Sequence, residues 1–310
     1  MPSSNFVVSG LTAYIEQNRD LLLKNFALVG TDTRRRIGVQ TGVKYKEHLH
    51  YLELAPVLQS GSECGFSASG TATLSERLIQ TADIKVNMDI CPKHLIGKYA
   101  EYLVRINATE NDLPFEQYIV DGVIREINKK IEKLIWQGDH TQSSDADIKW
   151  IDGFIYQFDN DASVVDVSIA HGSTIWAAVY ATYAGMSEEA LERGGVIFVS
   201  PANYRAFCLA LMEKNLFHFS APQEAYPDEI FIPGTDCKLI KTPGLAGVED
   251  KLVGTFADNL VYGCDMENDN EDIKLWFSDD DDLWKLKVNW NSGVSYHFPA
   301  QVTLGTIAAS

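Results

Sequence analysis

The chain has 310 residues with 45% hydrophobic and 22% charged content, an ordinary balance for a globular protein large enough to bury one big core or two interleaved ones. The formal net charge of −17 is uneven: residues 1–50 carry seven Lys/Arg against four acids, a net of +3, which leaves −20 for the rest. So acidic a body repels a phosphate backbone and argues against a sequence-reading nucleic-acid binder, and no apolar run reaches the ~18 residues that span a bilayer.

Met1 to Gly10 lacks a basic segment followed by an apolar core, so no secretory signal is expected and the product is expected to stay in the cytoplasm. Residues 11–29, with Leu11, Tyr14, Ile15, Leu21, Leu22, Leu23, Phe26 and Leu28, predict a helix with an apolar side. A Gly/Thr/Arg-rich connector follows to Gly42 and holds Arg34, Arg35 and Arg36, candidates for contact with nucleic acid, phosphate or an acidic neighbour. From Val43 to Thr81 no helical period is sustained, and Ser60-Gly61-Ser62 and Ser67-Ala68-Ser69-Gly70 break the stretch. The expectation is strands joined by a protruding loop or hairpin.

Residues 83–90 alternate: Ile84, Val86, Met88 and Ile90 on one side, Asp83, Lys85, Asn87 and Asp89 on the other. That is a half-buried strand. Pro92 opens a short helix with Leu95, Tyr99, Tyr102 and Leu103.

Asp112 to Gly138 gives the clearest signal. Asp112 is a good N-cap, Pro114 sits in the first turn and Glu116 suits the positive helix end. Phe115, Tyr118, Ile119, Val123, Ile127, Ile131, Leu134 and Ile135 recur at spacings of three and four. The predicted solvent face is Gln117, Asp121, Arg125, Asn128, Lys129 and Glu132, with Lys129, Lys130 and Lys133 near the C-terminal end and Gly138 as a left-handed stop. About 24 residues at ~1.5 Å each make a rod of roughly 36 Å.

After a polar loop from His140 to Lys149, Gly153 to Phe158 begins a mixed αβ region. Helices are predicted at Gly172 to Tyr183, Glu188 to Glu192 and, from the Ser200-Pro201 start, Ala202 to Glu213. Strands are predicted at Val196 to Val199, Lys238 to Ile240, Lys251 to Val253, Leu260 to Tyr262 and Lys274 to Phe277. The last predicted strand alternates Trp284, Leu286, Val288 and Trp290 against Lys285, Lys287 and Asn289. One strong strand before the long helix and one near the C-terminus suggest a discontinuous domain with another inserted.

Catalytic motifs do not assemble. His48 and His50 at i and i+2, followed by Glu53, approach the first metal motif of a cupin, but the His-to-Glu gap is one residue short and no second motif follows. Two solvent-side histidines on a strand are the plainer reading. Asp265 to Asp282 holds nine acids against Lys274, yet Asn270 replaces the glycine and Trp276 the glutamate of a calcium loop, which leaves a solvated turn or interface patch. Cys64, Cys91, Cys208, Cys237 and Cys264 form no C-x-x-C pair, and Cys64 is off-centre in Gly61-Ser62-Glu63-Cys64-Gly65, so reduced, mostly buried thiols are expected. No phosphate-cradling loop occurs, and no metal or cofactor is implied.

Taken in order, these elements resemble the major capsid proteins of tailed phages, whose fold is shared with encapsulins and herpesvirus shells. The local matches are Leu134-Ile135-Trp136-Gln137-Gly138-Asp139 with Asp152-Gly153-Phe154, and Val199-Ser200-Pro201 with Tyr204. Leu252 to Thr255, Asn259 to Gly263 and the Phe298-Pro299-Ala300 ending complete them. The resemblance implies an α+β fold: an N-terminal arm at 1–39, an extended loop at 40–80, and a peripheral domain at 81–165 and 283–310 with a spine helix at 113–137. An axial domain would be inserted at 166–282.

It also implies assembly contacts from the loop (Leu58, Ser60, Gly61, Glu63, Gly65, Phe66, Gly70) and the arm (Arg34, Arg35, Arg36), on a spine core of Phe115, Ile119, Val123, Ile127, Ile131 and Leu134. The implied function is a non-enzymatic shell subunit of hexamers and pentamers, assembled in the host cytoplasm and ending in the virion. Implied partners are a portal at one vertex and packaged double-stranded DNA held without sequence-specific contacts, with decoration proteins on the outside left open. The N-terminal region leaves no room for a removable scaffolding segment of long charged helices, so a separate scaffolding protein is expected. An encapsulin-type compartment and a cupin-like enzyme are the alternatives.

Overall fold

The computed structural model describes residues 32–58, 69–90, 115–142, 145, 147–216, 228–265, 272–278, 280–281 and 283–309. The helices expected at 11–29 and after Pro92, the Asp112 cap with Pro114, and Ser60, Gly61, Glu63, Cys64, Gly65, Phe66 and Cys91 lie outside these residues.

In chain order the elements are β1 (Gly38–Thr41), β2 (Lys46–Pro56), β3 (Gly70–Gln80), β4 (Ala82–Ile90), α1 (Phe115–Gln137), α2 (Phe154–Asp159), β5 (Val165–Ile169), α3 (Ile175–Gly185), α4 (Glu188–Glu192), β6 (Gly195–Val199) and α5 (Pro201–Glu213). They continue with β7 (Glu229–Phe231), β8 (Lys238–Lys241), β9 (Lys251–Phe256), β10 (Leu260–Cys264), β11 (Asp272–Ser278), β12 (Leu283–Tyr296) and β13 (Thr303–Ile307).

These strands form two sheets and a separate ribbon. The first sheet runs β1-β10-β12-β11 with β4 also on β12, antiparallel except for β1 beside β10. The second runs β5-β13-β9-β6-β8-β7. The ribbon is β2 paired antiparallel with β3. Sheet membership departs from the expected domain limits. β10 and β11, placed by sequence in the inserted part, belong to the sheet of β4 and β12, while β13, placed with β12, lies between β5 and β9 in the other sheet. Pairing partners are set by contacts distant in sequence, so boundaries drawn along the chain miss such exchanges.

Helix α1 keeps the predicted apolar face: Ile127, Ile131, Leu134 and Ile135 are buried and Val123 packs against the same core. Phe115 and Ile119 lie in the helix, their side chains outside the description. Two expectations fail here. Glu132, assigned to the solvent face, is only 4% exposed and accepts hydrogen bonds from the Thr33 amide (3.1 Å) and hydroxyl. The 32–37 segment covers that flank of the helix and turns an outward position inward.

Gly138 is not left-handed either. It is needed for close approach: a Cβ there would stand 2.4 Å from the Ile151 carbonyl oxygen, and one on Gly153 would stand 2.5 Å from the Gly138 nitrogen. The Gly153 amide donates to the Gly138 carbonyl at 2.9 Å, closing the helix end onto the segment leading into α2.

One apolar cluster joins α1, α2, the inner face of the first sheet (Ile84, Val288, Trp290, Tyr296) and one face of the second (Val196, Phe198, Val253, Leu304). Ile197 and Val199 point the other way, under α3 and α5 with Val179 and Phe207. Strand β6 is thus buried on both faces, which its unbroken apolar run requires. Caps fall where the residues dictate: Thr174, Ser187 and Ser200 accept from the amides of Ala177, Ala190 and Asn203, and Pro201 takes the first turn of α5.

Candidate functional site

The β2–β3 ribbon pairs with no strand of either sheet, and its register divides it into two faces. Glu47, Leu49 and Tyr51 on β2 share one with Ile79, Arg77 and Ser75 on β3. Lys46, His48, His50, Leu52 and Leu54 share the other with Gln80, Leu78, Glu76, Leu74 and Ala72. At the root the first face packs on the body: Leu49 and Ile79 are buried with Val43 and Val261, and Tyr51 meets Phe298 edge-on at 5.1 Å. Further out, every residue whose burial is described from Leu52 to Leu58 and from Ser69 to Leu74 is exposed.

The second face carries Leu52, Leu54 (64% exposed), Leu74 (68%) and Leu78, with Val57 and the almost wholly exposed Leu58 beyond. An isolated two-stranded ribbon is marginal in water, and among the described residues neither strand pairs with a third. Covering four leucines at roughly 1 kcal/mol or more each would supply the missing stability.

His48 and His50 sit on this outer face with rings 6.3 Å apart and nearly parallel. Their Nδ1 atoms lie 3.4 and 4.0 Å from Glu76 Oε2. The carboxylate beside them comes from the opposite strand, a relation that only the register creates. Among the described residues no group of three or more His, Cys, Asp or Glu is arranged to hold a metal ion.

At the root Arg77 makes the best-defined polar contact of the ribbon. Its two terminal nitrogens donate to Asp161 Oδ2 at 2.8 and 2.7 Å, one also donates to the Tyr296 hydroxyl at 2.9 Å, and the guanidinium lies 4.0 Å over the Tyr296 ring. Tyr296 donates to the same Asp161 oxygen at 2.7 Å, and the Ser163 amide donates to the other at 2.9 Å. Burial opposes charge on Asp161, but the Ser163 amide, the Tyr296 hydroxyl and Arg77 outweigh it and pull the carboxyl down to about 2. Burial, then the bond to Asp161, pushes the Tyr296 hydroxyl up.

The three arginines divide. Arg34 is buried with its guanidinium 4.9 Å over the Tyr262 ring, and Arg36 is ion-paired with Glu229 of β7, which Lys238 also meets at 3.3 Å. Arg35 is exposed. Two of the three candidate contact residues therefore fasten the segment to the body of its own chain. Beside them the Trp136 indole donates to the Thr33 hydroxyl at 2.7 Å.

Of the expected loop contacts, Leu58 and Gly70 are described, and both are exposed. The residues not anticipated are Arg77, Asp161, Tyr296, Glu76 and the Leu52, Leu54, Leu74 set. The leucines left a signal: apolar positions on β2 change from odd (Leu49, Tyr51) to even (Leu52, Leu54), where the ribbon leaves the body. In the acidic region Asp265 is buried rather than solvated, and Asp281 pairs with Lys285. Cys237 and Cys264 are buried and Cys208 half-buried; burial pushes the Cys237 thiol up to about 12.

No family model matches the sequence, and no curated protein matches it. Solved structures do. The chain resembles one in the procapsid of satellite phage P4 with its size determination protein, at 14% identity and a TM-score of 0.62, covering 97% of each chain. The capsid of an empty GTA particle matches at 9% identity and a TM-score of 0.55 over 90% of each chain. A virus-like particle from Pyrococcus furiosus matches at 12% identity and a TM-score of 0.50, over 94% of this chain and 98% of that one. The fold is that of these capsid chains.

Proposed function

We propose that the chain is the major capsid protein of a tailed double-stranded DNA phage, forming hexamers and pentamers of an icosahedral shell around the genome. The observation that carries this reading is the β2–β3 ribbon with its exposed leucines, projecting from a body with the capsid fold. A monomer gains nothing from such a face; a shell subunit gains an apolar, edge-open strand pair to lay on its neighbour. The net charge of −17 suits the same role, keeping free subunits soluble and the wall weakly attracted to packaged DNA. Under this reading α1 is the spine helix, a separate scaffolding protein guides assembly, a portal fills one vertex and decoration proteins are optional.

The test is expression followed by electron microscopy, with and without a co-expressed scaffolding protein. Closed shells are expected; a monodisperse monomer under every assembly condition refutes the proposal. Deleting Leu58 to Gly70 should leave a folded subunit that builds no stable capsomer, and normal shells from that deletion would remove the ribbon from the mechanism. The likeness to a virus-like particle from Pyrococcus furiosus leaves room for a second reading, a shell outside the tailed phages such as an encapsulin-type compartment. Nuclease-protected DNA inside native shells separates the two.

A further inference from the structure

We propose that Arg77, gripped by Asp161 and Tyr296, is a positioning residue that fixes the direction in which the β2–β3 ribbon leaves the subunit and so sets where its apolar face meets a neighbour. This rests on the shell reading above. The geometry is directional at every contact. Two guanidinium nitrogens converge on one carboxylate oxygen, the Tyr296 hydroxyl closes the third side, and the ring of the same tyrosine supports the guanidinium plane. Planar fork-and-stack contacts constrain angle as well as distance, which a lysine in the same place does not.

The two partners belong to the rigid body: Asp161 follows α2, and Tyr296 ends β12 and is fully buried against Phe158. The other restraints at the root are the small Leu49/Ile79 cluster, the Tyr51–Phe298 edge contact and single hydrogen bonds, from the Ser295 hydroxyl to the Leu78 carbonyl and from the Gln40 amide to Glu47, both at 3.3 Å; apolar contacts tolerate tilt, and a single bond fixes an angle less tightly than the fork does. From Arg77 to Gly70 the ribbon runs seven residues, about 23 Å at ~3.3 Å each. A tilt of about 15° at Arg77 therefore carries the far end about 6 Å, more than the ~4.8 Å strand spacing. The same tilt shifts Leu54, level with Ala72 five residues out, by about 4 Å, and Leu74, three residues out, by about 3 Å, enough to pull both side chains from their seat.

The experiment compares wild type, Arg77→Ala, Arg77→Lys and Tyr296→Phe. Nitroxides introduced as unnatural amino acids at Leu54 and at exposed Glu249 give a tip-to-body distance distribution by pulsed electron resonance on the unassembled subunit. Arg77→Ala should at least double its width, Arg77→Lys should fall short of full rescue, and Tyr296→Phe, which keeps the ring and loses the hydroxyl, should lie between Ala and wild type. Circular dichroism should stay native in each. In assembly, Arg77→Ala should lose at least tenfold in closed shells, and the loss should persist at temperatures where the variant is fully folded.

An unchanged distance distribution in Arg77→Ala overturns the inference, as do wild-type shells from it or full rescue by lysine. Failure of the wild type to assemble would count against the shell reading instead, and the distance measurement would still judge Arg77.

Discussion

Replacing Gly138 by alanine adds one methyl group where α1 meets the segment leading into α2. That methyl would stand 2.4 Å from the Ile151 carbonyl oxygen, 2.6 Å from the Leu134 carbonyl oxygen and 2.8 Å from the Gly153 nitrogen. All three are backbone atoms, so no side chain can swing aside. The helix end must part from residues 151–153, stretching the 2.9 Å hydrogen bond from the Gly153 amide to the Gly138 carbonyl. Overpacking a tight site costs about 1–3 kcal/mol and a lost backbone bond about 1 more, so the expected destabilisation is about 3 kcal/mol. Against a total of roughly 5–15 kcal/mol this moves a urea midpoint by about 1–2 M. The assay is equilibrium unfolding of the unassembled subunit, followed by tryptophan fluorescence. A Gly138→Ala midpoint within about 0.2 M of wild type would refute the close-approach argument. Because Gly138 is not left-handed, conformational strain offers no second route to the same loss.

Gly122→Ala should act in the opposite direction: nothing lies within 4 Å of a Cβ there, and alanine in a helix interior gains about 0.5–1 kcal/mol, seen as a higher midpoint in the same assay. Asp161 predicts acid sensitivity. Its folded value of about 2 lies below the ordinary 3.8, so its stabilisation is complete above pH ~4 and is lost as pH falls towards 2. The shift corresponds to about 2 kcal/mol, which Asp161→Asn should remove at neutral pH while flattening the midpoint between pH 5 and 2.5. Glu132→Ala should release the 32–37 segment by removing the acceptor for Thr33, so that trypsin cuts rapidly at Arg34 to Arg36; Glu132→Gln should protect far better, and equal cleavage in both would remove Glu132 from the anchor.

The parts legible in the sequence are those whose physics is local. Alternation fixed β4, spacing of three and four fixed α1, and Ser200-Pro201 fixed the start of α5. The missed strands are short or lie where composition is mixed. β1, β5 and β7 have three to five residues each, and β13 follows a Pro299 turn that reads as the end of the fold. Function-bearing contacts were harder, because they depend on register. Nothing local pairs His50 with Glu76, and Arg77 finds its partner 84 residues on. Glu132 shows the same limit from the other side: its helical position points outward, and only a segment 99 residues earlier in the chain buries it.

These long-range contacts also separate rigid from adjustable parts. Trp136, at the end of α1, meets Phe154 at 5.2 Å, Phe198 of the second sheet at 5.1 Å and Thr33 through its indole nitrogen. A side chain shared by α1, the second sheet and the 32–37 segment leaves them no independent motion without opening the core, at several kcal/mol for so large an aromatic. The ribbon beyond Tyr51 has no comparable anchor among the described residues; its outer half is exposed and held in direction by Arg77. A subunit that must occupy nearly equivalent positions in a closed surface needs one element to absorb the differences while the rest stays fixed. The division falls at one guanidinium group: on one side a body locked through Trp136, on the other a strand pair whose reach turns a small angle into a strand's width.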